Sequence, residues 1–199
     1  MSFYTGTQSE VLFAGPPAAY PAEGASTGSA FAAFTGATGN YQQPLFPGGF
    51  WQQGRTGQMA SVEIYGTITG QSSATTLALV LGLVTSPNSI ASIATLLTYP
   101  TLTVTSFSSA PFFLGAVILN RGSGYGTSSV ATNLNTSGSY IVNSDTSATT
   151  TALNGAVAPT QLATTDFSVN QWLQLQGTFS TNNAGNNITV NTVIVRGEN

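Results

Sequence analysis

The sequence predicts an all-β chain: an antiparallel β-sandwich of jelly-roll type with about eight strands, preceded by an extended N-terminal arm. Three observations predict it. Apolar residues recur with a period of two in several runs after residue 58. These runs are short and bounded by Gly, Ser, Asn and Pro, as in sandwiches and barrels. No stretch of ten or more residues shows a sustained amphipathic period of 3.6, although Asn88 to Leu97 has room for one short turn or helix.

Residues 1 to 48 form the arm, and residues 49 to 199 the sandwich. The arm is built from Gly, Ala, Ser, Thr and Pro with no regular period. Pro16, Pro17, Pro21, Pro44 and Pro47 fix φ and remove backbone donors, which disfavours helices and central strands there. It also carries Phe3, Tyr4, Val11, Leu12, Phe13, Tyr20, Phe31, Phe34, Tyr41, Leu45 and Phe46, more apolar groups than a solvated linker needs. They either fold back over the chain's own core or dock on neighbours. The reading adopted is docking, with these side chains other than Leu45 as the ten anchors, so that deleting residues 2 to 43 is expected to leave the sandwich folded.

The elements follow in order. Val62, Ile64 and Ile68 alternate with Ser61, Glu63, Tyr65 and Thr67, a half-buried strand. Thr75 to Val84 is apolar on both faces and is expected to be central. Thr95 to Phe107 and Phe112 to Leu119 are further strands, separated by the breaker Ser108-Ser109-Ala110-Pro111. Asn120 to Gly126 reads as a glycine-rich hairpin turn leading into a strand near Tyr125 to Asn133. Ser139 to Val142 and Thr149 to Leu153 are short and weak. Trp172 to Ser180, an Asn-rich turn at 182 to 187, and Ile188 to Arg196 read as a C-terminal hairpin. In the last strand Ile188 and Val190 share one parity and Val193 and Val195 the other, so either a bulge shifts the register or both faces are covered.

Composition narrows the chemistry. Among 199 residues there are three basic and six acidic side chains, no His and no Cys, a net charge of -3, and only 5% charged residues. Ordinary soluble domains carry roughly a quarter. All three basic residues are arginines, Arg55, Arg121 and Arg196, too few and too scattered for a phosphate-binding stripe, so nucleic acid is not an expected partner. An anionic membrane surface is excluded on the same ground. The start, Met1-Ser-Phe-Tyr-Thr-Gly, does not read as a signal peptide. The longest apolar runs, Leu77 to Val84 and Pro111 to Leu119, fall well short of the roughly 18 to 20 residues of a spanning helix. Hydrophobic residues at 41% suffice for a core.

Nucleophilic triads need a His or Lys base, and neither residue occurs. Zinc sites draw on His and Cys. The one carboxylate pair worth weighing for glycoside hydrolysis is Asp145 with Asp166, and both read better as turn formers in Ser- and Thr-rich sequence. Asn143-Ser-Asp145-Thr-Ser147 offers oxygen ligands but lacks the Gly and terminal Glu of a calcium loop, and reads as a surface loop. Gly122-Ser-Gly124-Tyr-Gly126 has the wrong spacing for a dinucleotide fingerprint. Asn135-Thr-Ser137 and Asn187-Ile-Thr189 match the glycosylation acceptor pattern. Phe50, Trp51, Trp172 and the tyrosines at 20, 41, 65, 99, 125 and 140 are either sugar-stacking platforms or, more commonly for such residues, packing groups. No catalytic residue, metal or cofactor is expected.

The segments Pro47-Gly-Gly-Phe-Trp51, Gly54-Arg55, Val62 to Ile68, Thr76 to Leu83, Trp172 to Ser180 and Ile188-Thr-Val190 resemble, in order and pattern over residues 44 to 196, the jelly-roll decoration and minor structural proteins of tailed bacteriophages. The resemblance implies a non-enzymatic virion protein. It implies a capsid decoration or cement protein on the head surface, bound to the major capsid protein, self-associated as a homotrimer and assembled in the bacterial cytoplasm. The alternative is a tail, fibre or receptor-binding module that recognises glycans. The chain departs from the pattern in its longer aromatic-bearing arm and its scarcity of charge.

Overall fold

A computed structural model describes residues 9–15, 31–33, 43–51, 58–71, 74–87, 93–120, 134–146, 149–162 and 168–198, with 9, 135, 144–146 and 149–162 described by their backbone alone. Among these residues there are twelve strands and no helix. They are β1 (Ser9–Gly15), β2 (Phe31–Ala32), β3 (Leu45–Phe46), β4 (Met59–Gly70), β5 (Thr76–Val84), β6 (Ala94–Thr98), β7 (Leu102–Thr103), β8 (Phe107–Asn120), β9 (Leu134–Thr146), β10 (Thr149–Leu162), β11 (Gln171–Phe179) and β12 (Asn187–Glu198).

Two six-stranded sheets result. The larger runs β1-β12-β4-β8-β9-β10; the smaller runs β2-β11-β5-β6, with β3 also on β11 and β7 also on β5. Every pairing is antiparallel. The expected antiparallel sandwich is therefore present. Strand order does not by itself establish a jelly roll: β4–β5 and β11–β12 each cross between sheets side by side, but β8, β9 and β10 form a meander within one sheet.

The alternation read in the sequence sets the core. Along β4, Val62, Ile64 and Ile68 face inward and Tyr65 outward. Leu77, Leu79, Leu81 and Leu83 of β5 meet Leu173, Leu175 and Phe179 of β11 in one buried cluster. Each such side chain contributes about 1.5–3 kcal/mol on burial. As expected, β5 lies inside its sheet, between β11 and β6. Its other face is less covered, since Ala78 is exposed. The parity change near the C-terminus is a bulge between Val190 and Thr192. It turns Val190 and Val193 to the same interior, and both are fully buried.

Five sequence expectations need correction. Thr95 to Phe107 is not one strand, because Tyr99-Pro100-Thr101 separates β6 from β7. The Ser108–Pro111 breaker lies inside β8: Ser109 adopts φ +51 and a register shift falls opposite, between Ile68 and Gly70, so the sheet absorbs the irregularity and Pro111 still pairs with Thr67. Ser139 to Val142 and Thr149 to Leu153 are parts of the long strands β9 and β10, which pair with each other over most of their length. Asn143 to Thr146 is accordingly strand rather than loop. The last two strands are not a hairpin, since β11 pairs with β5 and β12 with β4 in opposite sheets.

The Asn-rich turn is the corner between them. Asn186 Nδ2 donates to the Thr181 carbonyl at 2.8 Å, and its Oδ1 accepts from the Gln71 backbone N–H at 2.9 Å, tying the two sheet crossings together. The glycine turn and strand expected over 121 to 133 lie outside the described residues, as do residues 88–92 of the short helix considered at Asn88 to Leu97; β6 occupies most of the rest of that segment.

Candidate functional site

Of the ten arm residues expected to act as anchors, Phe3, Tyr4, Tyr20, Phe34 and Tyr41 lie outside the described residues. The other five are placed. β1 is the outermost strand of the larger sheet, paired with β12, and a register shift between Val11 and Phe13 lets Leu12 and Phe13 both pack against the core. Val11 stays 57% exposed. Phe31 and Phe46 are buried within the chain, Phe31 stacked on Phe179 at 5.7 Å between ring centroids.

Backbone and side-chain bonds fix the arm where it crosses β11. Ala33 N–H donates to the Leu175 carbonyl and Leu173 N–H to the Pro44 carbonyl, each at 2.8 Å. The buried Gln43 donates Nε2 to the Leu173 carbonyl at 2.9 Å. The Pro47-Gly-Gly-Phe50 segment is a turn closed by Phe50 N–H to the Pro47 carbonyl at 2.9 Å, with Gly49 at φ +81 in the position that favours glycine. It delivers Phe50 and Trp51 onto Phe46, at 5.2 and 5.3 Å from its ring. The described arm segments therefore fold back over the chain's own sheets, so the deletion of residues 2 to 43, expected to leave the sandwich folded, would remove β1, β2 and the Phe31 plug.

The aromatic platforms separate in the same way. Trp51 and Tyr99 are buried, Tyr140 packs partly on the core, and Trp172 is half-buried. Tyr20, Tyr41 and Tyr125 are outside the described residues. Tyr65 alone among the described platform candidates is strongly exposed, at 40%. Asp145 lies in β9 with its backbone opposite Thr150, while Asp166 is outside the described residues, so no geometry joins the carboxylate pair. Among the described residues no three of His, Cys, Asp and Glu come together, and no helix is long and apolar enough to cross a membrane.

The outer face of the larger sheet brings together residues the sequence reading left apart. Register aligns Ile194, Glu63, Gly115 and Ser139 across β12, β4, β8 and β9, with Thr192, Tyr65, Phe113 and Ile141 in the next row and Arg196, Ser61, Val117 and Ser137 on the opposite side. Tyr65 and Phe113 are a tilted ring pair at 5.1 Å. Arg196 forms an ion pair with Glu63, which also accepts a hydrogen bond from the Tyr65 hydroxyl at 3.1 Å. Partial burial and the Glu63 carboxylate raise the Tyr65 pKa, burial being the larger cause. Gly115 has no side chain to fill the row, and a groove of about 370 Å³ opens over it between Phe113 and Val117. The signal was present: Phe113 and Val117 are apolar at the outward parity of a strand whose inward parity, Phe112, Leu114, Ala116 and Ile118, already fills the core.

No family model, curated protein or solved structure matches the chain. What fold and site define is thus a class: an antiparallel β-sandwich whose N-terminal segments add strands to both sheets, with a polar and aromatic groove on the outer face of the larger one.

Proposed function

We propose that the chain is a non-enzymatic structural component of a tailed-bacteriophage virion, a decoration or cement protein that binds the outer surface of the head and steadies the lattice of the major capsid protein. The observation that carries the reading is the placement of β1. An arm strand forms one outer edge of the larger sheet, its outer side has no strand partner among the described residues, and Val11 there is the most exposed large apolar side chain among them. An open strand edge is a template for another chain's backbone, and an exposed apolar residue on it gives that chain an anchor. Three contacts around a homotrimer would multiply a weak attachment through effective concentration. The absence of His, Lys and Cys from the sequence supports a structural rather than a catalytic role. No nucleic acid, membrane or cofactor enters the reading.

The test uses undecorated heads built from the capsid protein encoded in the same genome. Full-length protein, Val11→Asp and a deletion of residues 2–15 are each mixed with heads and sedimented. The expected result is co-sedimentation of the full-length chain alone, with Val11→Asp retaining the parent melting temperature. Equal occupancy by all three would overturn attachment through β1. Binding of none, with the protein found on tails, would replace the decoration reading by a tail or receptor-binding module.

A further inference from the structure

Independently of how the chain attaches to a particle, we infer that the groove over Gly115 on the outer face of the larger sheet is a binding site for a neutral saccharide, with Phe113, backed by Tyr65, as the stacking platform and Glu63, Ser137 and Ser139 as its hydrogen-bonding groups. A groove of about 370 Å³ lies at the small end of the size range of ligand sites and fits one sugar residue or a short oligosaccharide. Its floor is open because residue 115 is glycine; a Cβ there would stand 2.9 Å from Ser139 Oγ and 3.1 Å from the Phe113 ring.

Chemistry then selects the ligand. Among the described residues Glu63 is the one charged side chain lining the groove, and Arg196, reaching it from β12, balances its charge, so the groove offers no net charge to an anion or a cation. Pairing leaves hydrogen-bonding capacity on both, since a guanidinium carries five donors and a carboxylate accepts several bonds. Ser137 and Ser139 are exposed on β9, across β8 from Glu63, and each hydroxyl donates and accepts. A sugar presents the complement: hydroxyls that donate and accept around its rim, and C–H faces that stack on an aromatic ring. An extended peptide is disfavoured, because the strands lining the groove pair on both sides within the sheet and their backbone groups are occupied. The sequence pointed to Trp51 as a platform; burial removes it, and the ring that lines the groove is Phe113.

The experiment is a titration of isotope-labelled full-length protein with maltose, cellobiose, lactose, chitobiose and mannobiose, followed by amide NMR shifts. The expected result is saturable binding of at least one of them, with the largest shifts at Gly115, Ser137 and Ser139. Phe113→Ala and Glu63→Gln should each weaken it by about tenfold or more while leaving the remaining spectrum folded. Absence of saturable shifts with every sugar at about 20 mM overturns the site, since weaker binding than that is not recognition. So does saturable binding that maps elsewhere or survives both substitutions. Shifts on this face that depend on protein concentration rather than on sugar would assign it to a second copy of the chain and equally overturn the saccharide.

Discussion

Tyr99, just beyond β6 in the smaller sheet, donates its hydroxyl to the carbonyl of Gly115 in the larger sheet at 3.2 Å, so one buried side chain spans the interior and holds the floor of the outer groove from beneath. Removing that hydroxyl while keeping the ring leaves a buried carbonyl without this donor. Tyr99→Phe is expected to lower stability by about 1–3 kcal/mol. The urea midpoint reads this directly; a midpoint equal to that of the parent would mean the bond contributes nothing net.

The same group makes stability depend on alkaline pH. Burial pushes the Tyr99 pKa far above its ordinary value near 10. Below that value both folded and unfolded states keep the proton and the contribution is constant. Above it the unfolded chain loses the proton while the folded one retains it, so stability falls as pH rises. Urea midpoints should decline above about pH 10, and less steeply in Tyr99→Phe than in the parent. Tyr65, whose pKa is also raised, works in the same direction but is exposed and titrates with little consequence. Identical declines in parent and variant would remove Tyr99 from this account.

Gly177 on β11 is the socket for the arm. A Cβ at this position would lie 2.3 Å from the Phe31 ring. Gly177→Ala is expected to displace Phe31, destabilise the protein by about 1–3 kcal/mol and speed proteolysis ahead of β3. In a Phe31→Ala background the same change should cost much less, because the clash has gone. Additive losses in the double-mutant cycle would show that the alanine acts on β11 and not on the arm.

The Arg196–Glu63 pair is about one third exposed on each side, and solvent screens it. Glu63→Gln should therefore change global stability by no more than about 1 kcal/mol, measured by chemical denaturation. A larger loss would mean that the pair holds β4 to β12, and any effect on ligand binding would then be indirect.

Much of the sandwich was legible because burial leaves a period of two wherever one face is apolar, as in β4, β5 and β11. β9 and β10 escaped at their true length because Thr, Ser, Asn and Gly fill them, residues that serve a strand and a turn alike. Turn signals say that a chain reverses, not into which sheet, so Asn182 to Asn187 suggested a hairpin where the chain turns a corner. The bulge after Val190 was visible as a change of parity, but choosing it required the pairing with Tyr65 and Ile64 of β4.

The groove was not legible for a different reason. Glu63 and Arg196 are separated by 133 positions and meet only through the register of β4 on β12. Gly115 carries no pattern of its own. It becomes an opening only between Phe113 and Val117 on one side of a strand whose length was underestimated when Pro111 was read as a break.

The central claim, that an arm strand at the sheet edge fastens this protein to a head, is tested most directly by image reconstruction of heads saturated with the full-length chain. The account predicts trimeric density at symmetric lattice positions, with the β1 edge and Val11 against the capsid and the Gly115 groove facing outward. Heads that carry no such density, or carry it with β1 turned to solvent, would contradict it.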